Sequence, residues 1–319
     1  MAQSAWTELG AAEPQPVRAD AHPAPSTHVM RFRRHQRPVL GPLDAAAATL
    51  QRNAREVLLG PALLLVPVAA LNLIVSNLVY DDFASFDDAA VSLPEFVGGV
   101  ESASGVETLL AYIGVLTGSL AVALVGGYTT VLVLRQANGL AVTIGACLRG
   151  LARRLPALLL AWVVGHAWIV LGAVGLVQLS GADMAPFLLL VVPLALFLVT
   201  FTALVSPVIV AERAGFVRGL RRSIRLVRLR FGAVFGFVLL SILLGGGLRA
   251  MITWTPQLLE DAGMITFAGS TWLAEGVAGQ LAPLVVAPWI ALATSKLYLQ
   301  VRMDAEGMDL MVEGDRAFE

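Results

Sequence analysis

The stretch Ala211–Phe231 reads AERAGFVRGLRRSIRLVRLRF. It carries seven of the chain's 22 basic residues, all arginine, and a single acid, Glu212. Long apolar segments flank it on both sides. Wound as a helix at about 100° per residue, it sorts its side chains into two arcs. Arg218, Arg221, Arg222, Arg225 and Arg228 fall on one arc. Phe216, Val217, Leu220, Ile224, Val227 and Phe231 fall on the other. A basic amphipathic helix between two membrane spans is expected to lie in the plane of the cytoplasmic bilayer surface. The stretch therefore orients everything around it.

Composition fits a membrane setting. Hydrophobic residues make up 57% of the 319 and charged residues 14%, against roughly 25% charged in a soluble domain. The mean hydropathy is +0.76. The lone cysteine, Cys147, leaves no partner for an intramolecular disulfide. Lys296 is the only lysine among the basic residues. With the many Ala, Gly and Val residues, this bias is that of a GC-rich bacterial genome. Residues 1–30 lack a basic-then-apolar leader pattern and read as neither signal peptide nor lipoprotein leader.

Working outward along the chain, residues 1–38 are proline-rich and aperiodic, which predicts a disordered cytoplasmic tail. Its end holds Arg31, Arg33, Arg34 and Arg37 around Phe32. Such a run contacts anionic headgroups or simply sets topology. Residues 43–57 have helical apolar spacing and lead into a first span over 58–79, with Pro61 and Pro67 inside it. Residues 80–107 form an acidic polar loop with no Lys or Arg. A second span is expected over 108–134, where Gly114 and Gly118 form a small-xxx-small pair. The connection 135–156 is basic, with Leu148, Leu151 and Leu155 on one side. Spans three and four follow over 157–179 and 186–210, the latter with Pro193 and Pro207. After the arginine stretch comes span five over 232–252, with a Gly232/Gly236 pair and a weak point at Gly245–Gly247. Residues 253–275 read as a polar loop, and span six as 276–299.

Sorting basic residues by side fixes the topology. The N-terminal region holds seven, the 135–156 connection four, the 212–230 connection seven and the tail three. That places 21 of 22 on one side, with only Arg249 left over. The positive-inside rule then predicts six spans with both termini cytoplasmic. The expected architecture is an all-α membrane protein of six transmembrane helices. Short amphipathic cytoplasmic helices precede spans one, three and five, over 43–57, 140–155 and 215–230. In domain terms, 1–38 is a tail, 39–300 the six-span domain and 301–319 a second cytoplasmic tail.

Catalytic signals are scarce. His166 is the one ionisable residue near the middle of a span, flanked by Trp162 and Trp168. An intramembrane ionisable group is a candidate polar site; a neutral histidine hydrogen-bonded inside the bundle is the alternative. No Gly-x-Ser-x-Gly, His-Glu-x-x-His, P-loop or Gly-x-Gly-x-x-Gly stretch occurs. No catalytic, cofactor or metal site is predicted. The acidic loop could offer hard oxygen ligands to a divalent cation, but its spacing fits no known loop and a solvated exterior loop is the plainer reading. Cys147 sits where palmitoylation occurs or where a small filler residue packs. The arginine arc, Arg218, Arg221, Arg222, Arg225 and Arg228, is the candidate contact for anionic lipid headgroups, at about 1 kcal/mol per arginine. The alternatives are a docking face for a membrane or cytoplasmic protein partner, or a helix that only sets topology. No nucleic-acid partner is expected.

Three segments carry a resemblance. The run from Ser206 to Phe231, with Glu212 closing a span and Leu220 to Val227 reading LRRSIRLV, is similar to a segment of bacterial membrane proteins. These resemble the membrane domain fused to some glycerophosphoryl diester phosphodiesterases. Two weaker matches agree in order: RPVLGPLD over 37–44, and the closing pattern with Arg302, Glu306, Gly307, Asp309 and Leu310. The resemblance covers roughly 37–312. It implies a six-helix membrane protein linked to membrane lipids. The phosphodiesterase domain is absent, so catalysis does not carry over. The resulting expectation is a non-enzymatic, multi-pass protein of the bacterial plasma membrane that organises or handles lipid at the cytoplasmic leaflet. The runner-up is a permease, or the membrane subunit of a transporter, using the proline-broken spans one, four and six around a midplane cavity.

Overall fold

A computed structural model of the protein describes residues 39–80, 105–165, 184–267 and 271–306. Among them the regular structure is entirely helical. In chain order the helices are α1 (Leu40–Arg52), α2 (Ala54–Tyr80), α3 (Gly105–Ala137), α4 (Ile144–Ala152) and α5 (Leu155–Gly165). They continue as α6 (Met184–Thr202), α7 (Val205–Ala211), α8 (Phe216–Leu229), α9 (Phe231–Asp261) and α10 (Thr271–Glu306).

Five stretches are long and apolar enough to cross a membrane: Ala54–Ile74, Leu116–Ala137, Val192–Ala211, Phe231–Asp261 and Ala274–Glu306. The chain is a multi-pass membrane protein. Of the span expected over 157–179, only the part up to Gly165 is described. His166, the turn at 180–185 up to Asp183, most of the acidic loop, the proline-rich tail and residues 307–319 lie outside the described residues.

Helix α10 organises the packing. It touches α1, α2, α3, α7, α8 and α9. Its 36 residues extend over about 54 Å, more than the roughly 30 Å hydrocarbon core requires. The main core draws Leu132 from α3, Leu151 from α4, Val208 from α7, Leu226 from α8, Phe237 from α9 and Leu297 from α10. Apolar burial cannot by itself drive helices together in lipid, so close backbone approach and polar contacts carry the specificity. Gly60 of α2 is one such approach: a Cβ there would collide with the Tyr128 hydroxyl, which donates to the Glu56 carbonyl at 2.8 Å. Between α3 and α10, buried Thr130 and Ser295 hydroxyls meet at 3.0 Å, with Thr129 at 3.4 Å from the same oxygen.

Several boundaries depart from expectation. Residues 43–57 are not one helix: Asn53, at φ −129° and ψ 42°, separates α1 from α2, and Val57 already belongs to the first crossing helix. The expected loop 253–275 is largely helical, because α9 runs to Asp261 and α10 starts at Thr271. Polar side chains end an apolar window without ending the backbone ladder. The weak point at Gly245–Gly247 does not break α9. Gly245 instead admits α10, since a Cβ there would lie 2.5 Å from Ile290 Cδ1. The span over 186–210 is interrupted at 203–204. Pro207 explains this: it has no N–H for the Ala203 carbonyl, and its ring crowds that oxygen.

Candidate functional site

The arginine stretch folds as a tight turn and a helix following the broken apolar segment α6–α7. Glu212 closes α7, and Arg213 follows at φ +48°. That is the left-handed region, where a side chain costs about 1 kcal/mol. Gly215 then caps α8 in an extended conformation. Two contacts seat α8. Gly219 lies on Ile209 of α7, where a Cβ would come within 2.6 Å of Cγ1. Buried Ser223 donates to the Phe201 carbonyl at 2.8 Å, satisfying an oxygen that the break at 203–204 leaves near a helix end. Phe197, Phe201 and Phe231 cluster nearby, with ring centroids 4.7–5.9 Å apart.

The buried face of α8 is not the centre of its apolar arc. Gly219, Ser223, Leu226 and Val227 are buried, a face rotated away from Val217, which is 54% exposed. The rotation follows from the small residues, which are the ones that let α8 reach the backbone of α6 and α7. The helix thus has three surfaces: a small-residue face inward, a partly open apolar flank and a basic face. Arg218, Arg221, Arg225 and Arg228 are exposed on the last of these.

Arg222 departs from expectation. It is half-buried and engaged by two carboxylates. Its Nε donates to Glu212 Oε1 at 3.1 Å, and its terminal nitrogen contacts Glu306 of α10. Buried Arg302 completes the group, with its Nε 2.9 Å from Glu306 and 3.9 Å from Glu212. Tyr298 donates to Glu212 and accepts from Arg302, both at 3.2 Å. Two guanidiniums and two carboxylates therefore form a box, with a tyrosine as its floor. Desolvating such charges is costly unless each is paired and hydrogen-bonded, and here each carboxylate serves both arginines.

Above the box lies a groove of about 860 Å³. Arg213, Arg218, Arg221, Arg222, Arg225 and Arg302 line it, together with Glu212, Glu306 and Val217. Arg228, expected in the same set, does not line it. Arg154 of the preceding connection belongs to the same positive region: burial first, then the charges of Arg213 and Arg153, lower its guanidinium from the ordinary value. Six guanidiniums against two carboxylates leave the groove an excess of positive charge, and the planar fork of arginine matches phosphate and carboxylate oxygens two at a time. Among the described residues no cluster of three or more His, Cys, Asp or Glu stands where a metal ion could sit.

Sequence reasoning found the basic arc but not the box. Tyr298, Arg302 and Glu306 stand at i, i+4, i+8 on one face of α10, but nothing in the local pattern ties that face to Glu212 and Arg222. That spacing, Tyr-x3-Arg-x3-Glu at the end of an apolar helix, was the signal available. The fold and groove define a multi-pass membrane protein, helical in its described residues, with an arginine-lined site. No protein-family model, curated protein or solved structure matches the chain.

Proposed function

We propose that the protein is a six-span protein of the bacterial plasma membrane with both termini in the cytoplasm. In this reading it is not an enzyme. It holds anionic lipid headgroups of the cytoplasmic leaflet in the arginine groove, and so organises or handles lipid there. The observation that carries the reading is the groove itself, with six guanidiniums converging from the α7–α8 turn, α8 and α10. Val217, exposed on the groove wall, supports a ligand that is charged at one end and apolar at the other. The partly open flank with Phe216 and Ile224 favours a helix half-sunk in the headgroup region.

The test is lipid retention. Protein purified in mild detergent is expected to keep phosphatidylglycerol in preference to phosphatidylcholine. Arg218→Gln, Arg221→Gln and Arg225→Gln combined should lower that retention by an order of magnitude or more, given about 1 kcal/mol per arginine. Arg222 is left intact because it holds the box together. Undiminished retention in the triple variant would sink the proposal.

A further inference from the structure

The two carboxylates of the box are not equally held. Glu212 receives hydrogen bonds from Arg222 and Tyr298 and lies 3.9 Å from Arg302. Glu306 touches the same two arginines but has no tyrosine hydrogen bond among the described residues. It is also the more exposed, at 27% of its side chain against 17% for Glu212. The Arg302-to-Glu306 order is the less favourable direction for an i,i+4 pair. Glu306 nevertheless sits in the groove wall, covering the guanidiniums that a ligand anion would need.

We propose that Glu306 is an internal stand-in for a phosphate group, displaced when the ligand binds. The incoming group is a phosphomonoester or inorganic phosphate near its dianionic state. It brings more charge and more acceptor oxygens than a carboxylate, enough to bridge Arg222 and Arg302 together. Glu212 remains in place, keeping Arg222 and Arg302 aligned. Occupancy of the groove is thereby linked to release of the last turn of α10. The inference rests on the anion-binding reading of the groove above and adds its ligand class and its competitor.

The experiment compares Glu306→Gln with the natural chain and with Asp304→Asn. Asp304 lies two positions away, 3.7 Å from Arg230, so its variant removes an equal charge without touching Arg222 or Arg302. Binding is measured for inorganic phosphate on protein in neutral detergent. A second arm uses phosphatidylcholine vesicles containing either phosphatidic acid or phosphatidylglycerol. Glu306→Gln should bind phosphate about tenfold more tightly, the effect of removing one charged competitor, while Asp304→Asn stays near the natural value. A gain with phosphatidic acid vesicles alone assigns the site to a lipid phosphomonoester; a gain with inorganic phosphate as well assigns it to the phosphate group itself; an equal gain with phosphatidylglycerol, a diester, overturns the phosphomonoester class. Equal gains in Glu306→Gln and Asp304→Asn, or none in Glu306→Gln, overturn the exchange. If the exchange fails while the triple arginine variant still loses phosphatidylglycerol, the lipid reading stands; if the triple variant loses nothing, both fall.

Discussion

Cys147 is wholly buried where α4 meets α3, beside the Tyr128 hydroxyl. Burial pushes its thiol from an ordinary value near 9.0 up to about 11, against the pull of Arg135. The native chain therefore favours the neutral thiol. Since the folded value lies above the unfolded one, this contribution to stability is complete below about pH 9 and is lost as pH rises toward 11. Maleimide is accordingly expected to label Cys147 of the native protein very slowly at pH 8 and rapidly after unfolding; comparable rates would show the site to be open. The reading of Cys147 as a packed filler agrees with its burial. The sequence alone gave equal weight to every arginine of the basic arc. It could not show Arg222 turning inward, because that depends on two carboxylates supplied by other helices. Arg213 is similar: its left-handed backbone follows from how the chain must reverse between α7 and α8, not from its residue type.

At the scale of single elements, the length and apolar pattern of helices were legible, and their breaks were not. Prolines stand inside α2, α6 and α10 without stopping them. Pro207 coincides with a break. In α8 the periodicity grouped Arg218, Arg221, Arg225 and Arg228, which are exposed, with Arg222, which is not. The inward face was misjudged because hydropathy overlooks Gly219 and Ser223, whose value is steric and local. Ser223→Ala should cost about 1 kcal/mol, since it strands the Phe201 carbonyl; a matching fall in the thermal midpoint checks it. Gly219→Val is expected to be worse, as its side chain would push α8 off Ile209, and it should reduce anionic-lipid retention together with stability. An unchanged midpoint in Ser223→Ala would mean that water or lipid replaces the hydroxyl.

For the molecule as a whole, five of the six expected crossings coincide with long apolar helices, because burial in lipid acts on one dimension, the run of apolar residues. Which helices touch was not legible, since it turns on Gly60 against Tyr128 or Thr130 against Ser295, pairs with no signature in hydropathy. The proposed orientation rests on charge counting and has its own test. A reporter active only outside the cytoplasm should be silent when joined after Arg230 and active when inserted within 81–104. Activity after Arg230 would invert the topology, and with it the assignment of the groove to the cytoplasmic leaflet.

The central place of α10 also has a meaning in time. A chain is inserted as it is made, and α10 is the last of the described helices to leave the ribosome. Until it arrives, α1, α2, α3 and α9 stand in the bilayer without the neighbour they share. The paired hydroxyls of Thr129 and Thr130 wait for Ser295, and Glu212 and Arg222 wait for Arg302 and Tyr298. The protein's biogenesis therefore has a vulnerable interval, ended by a single late event.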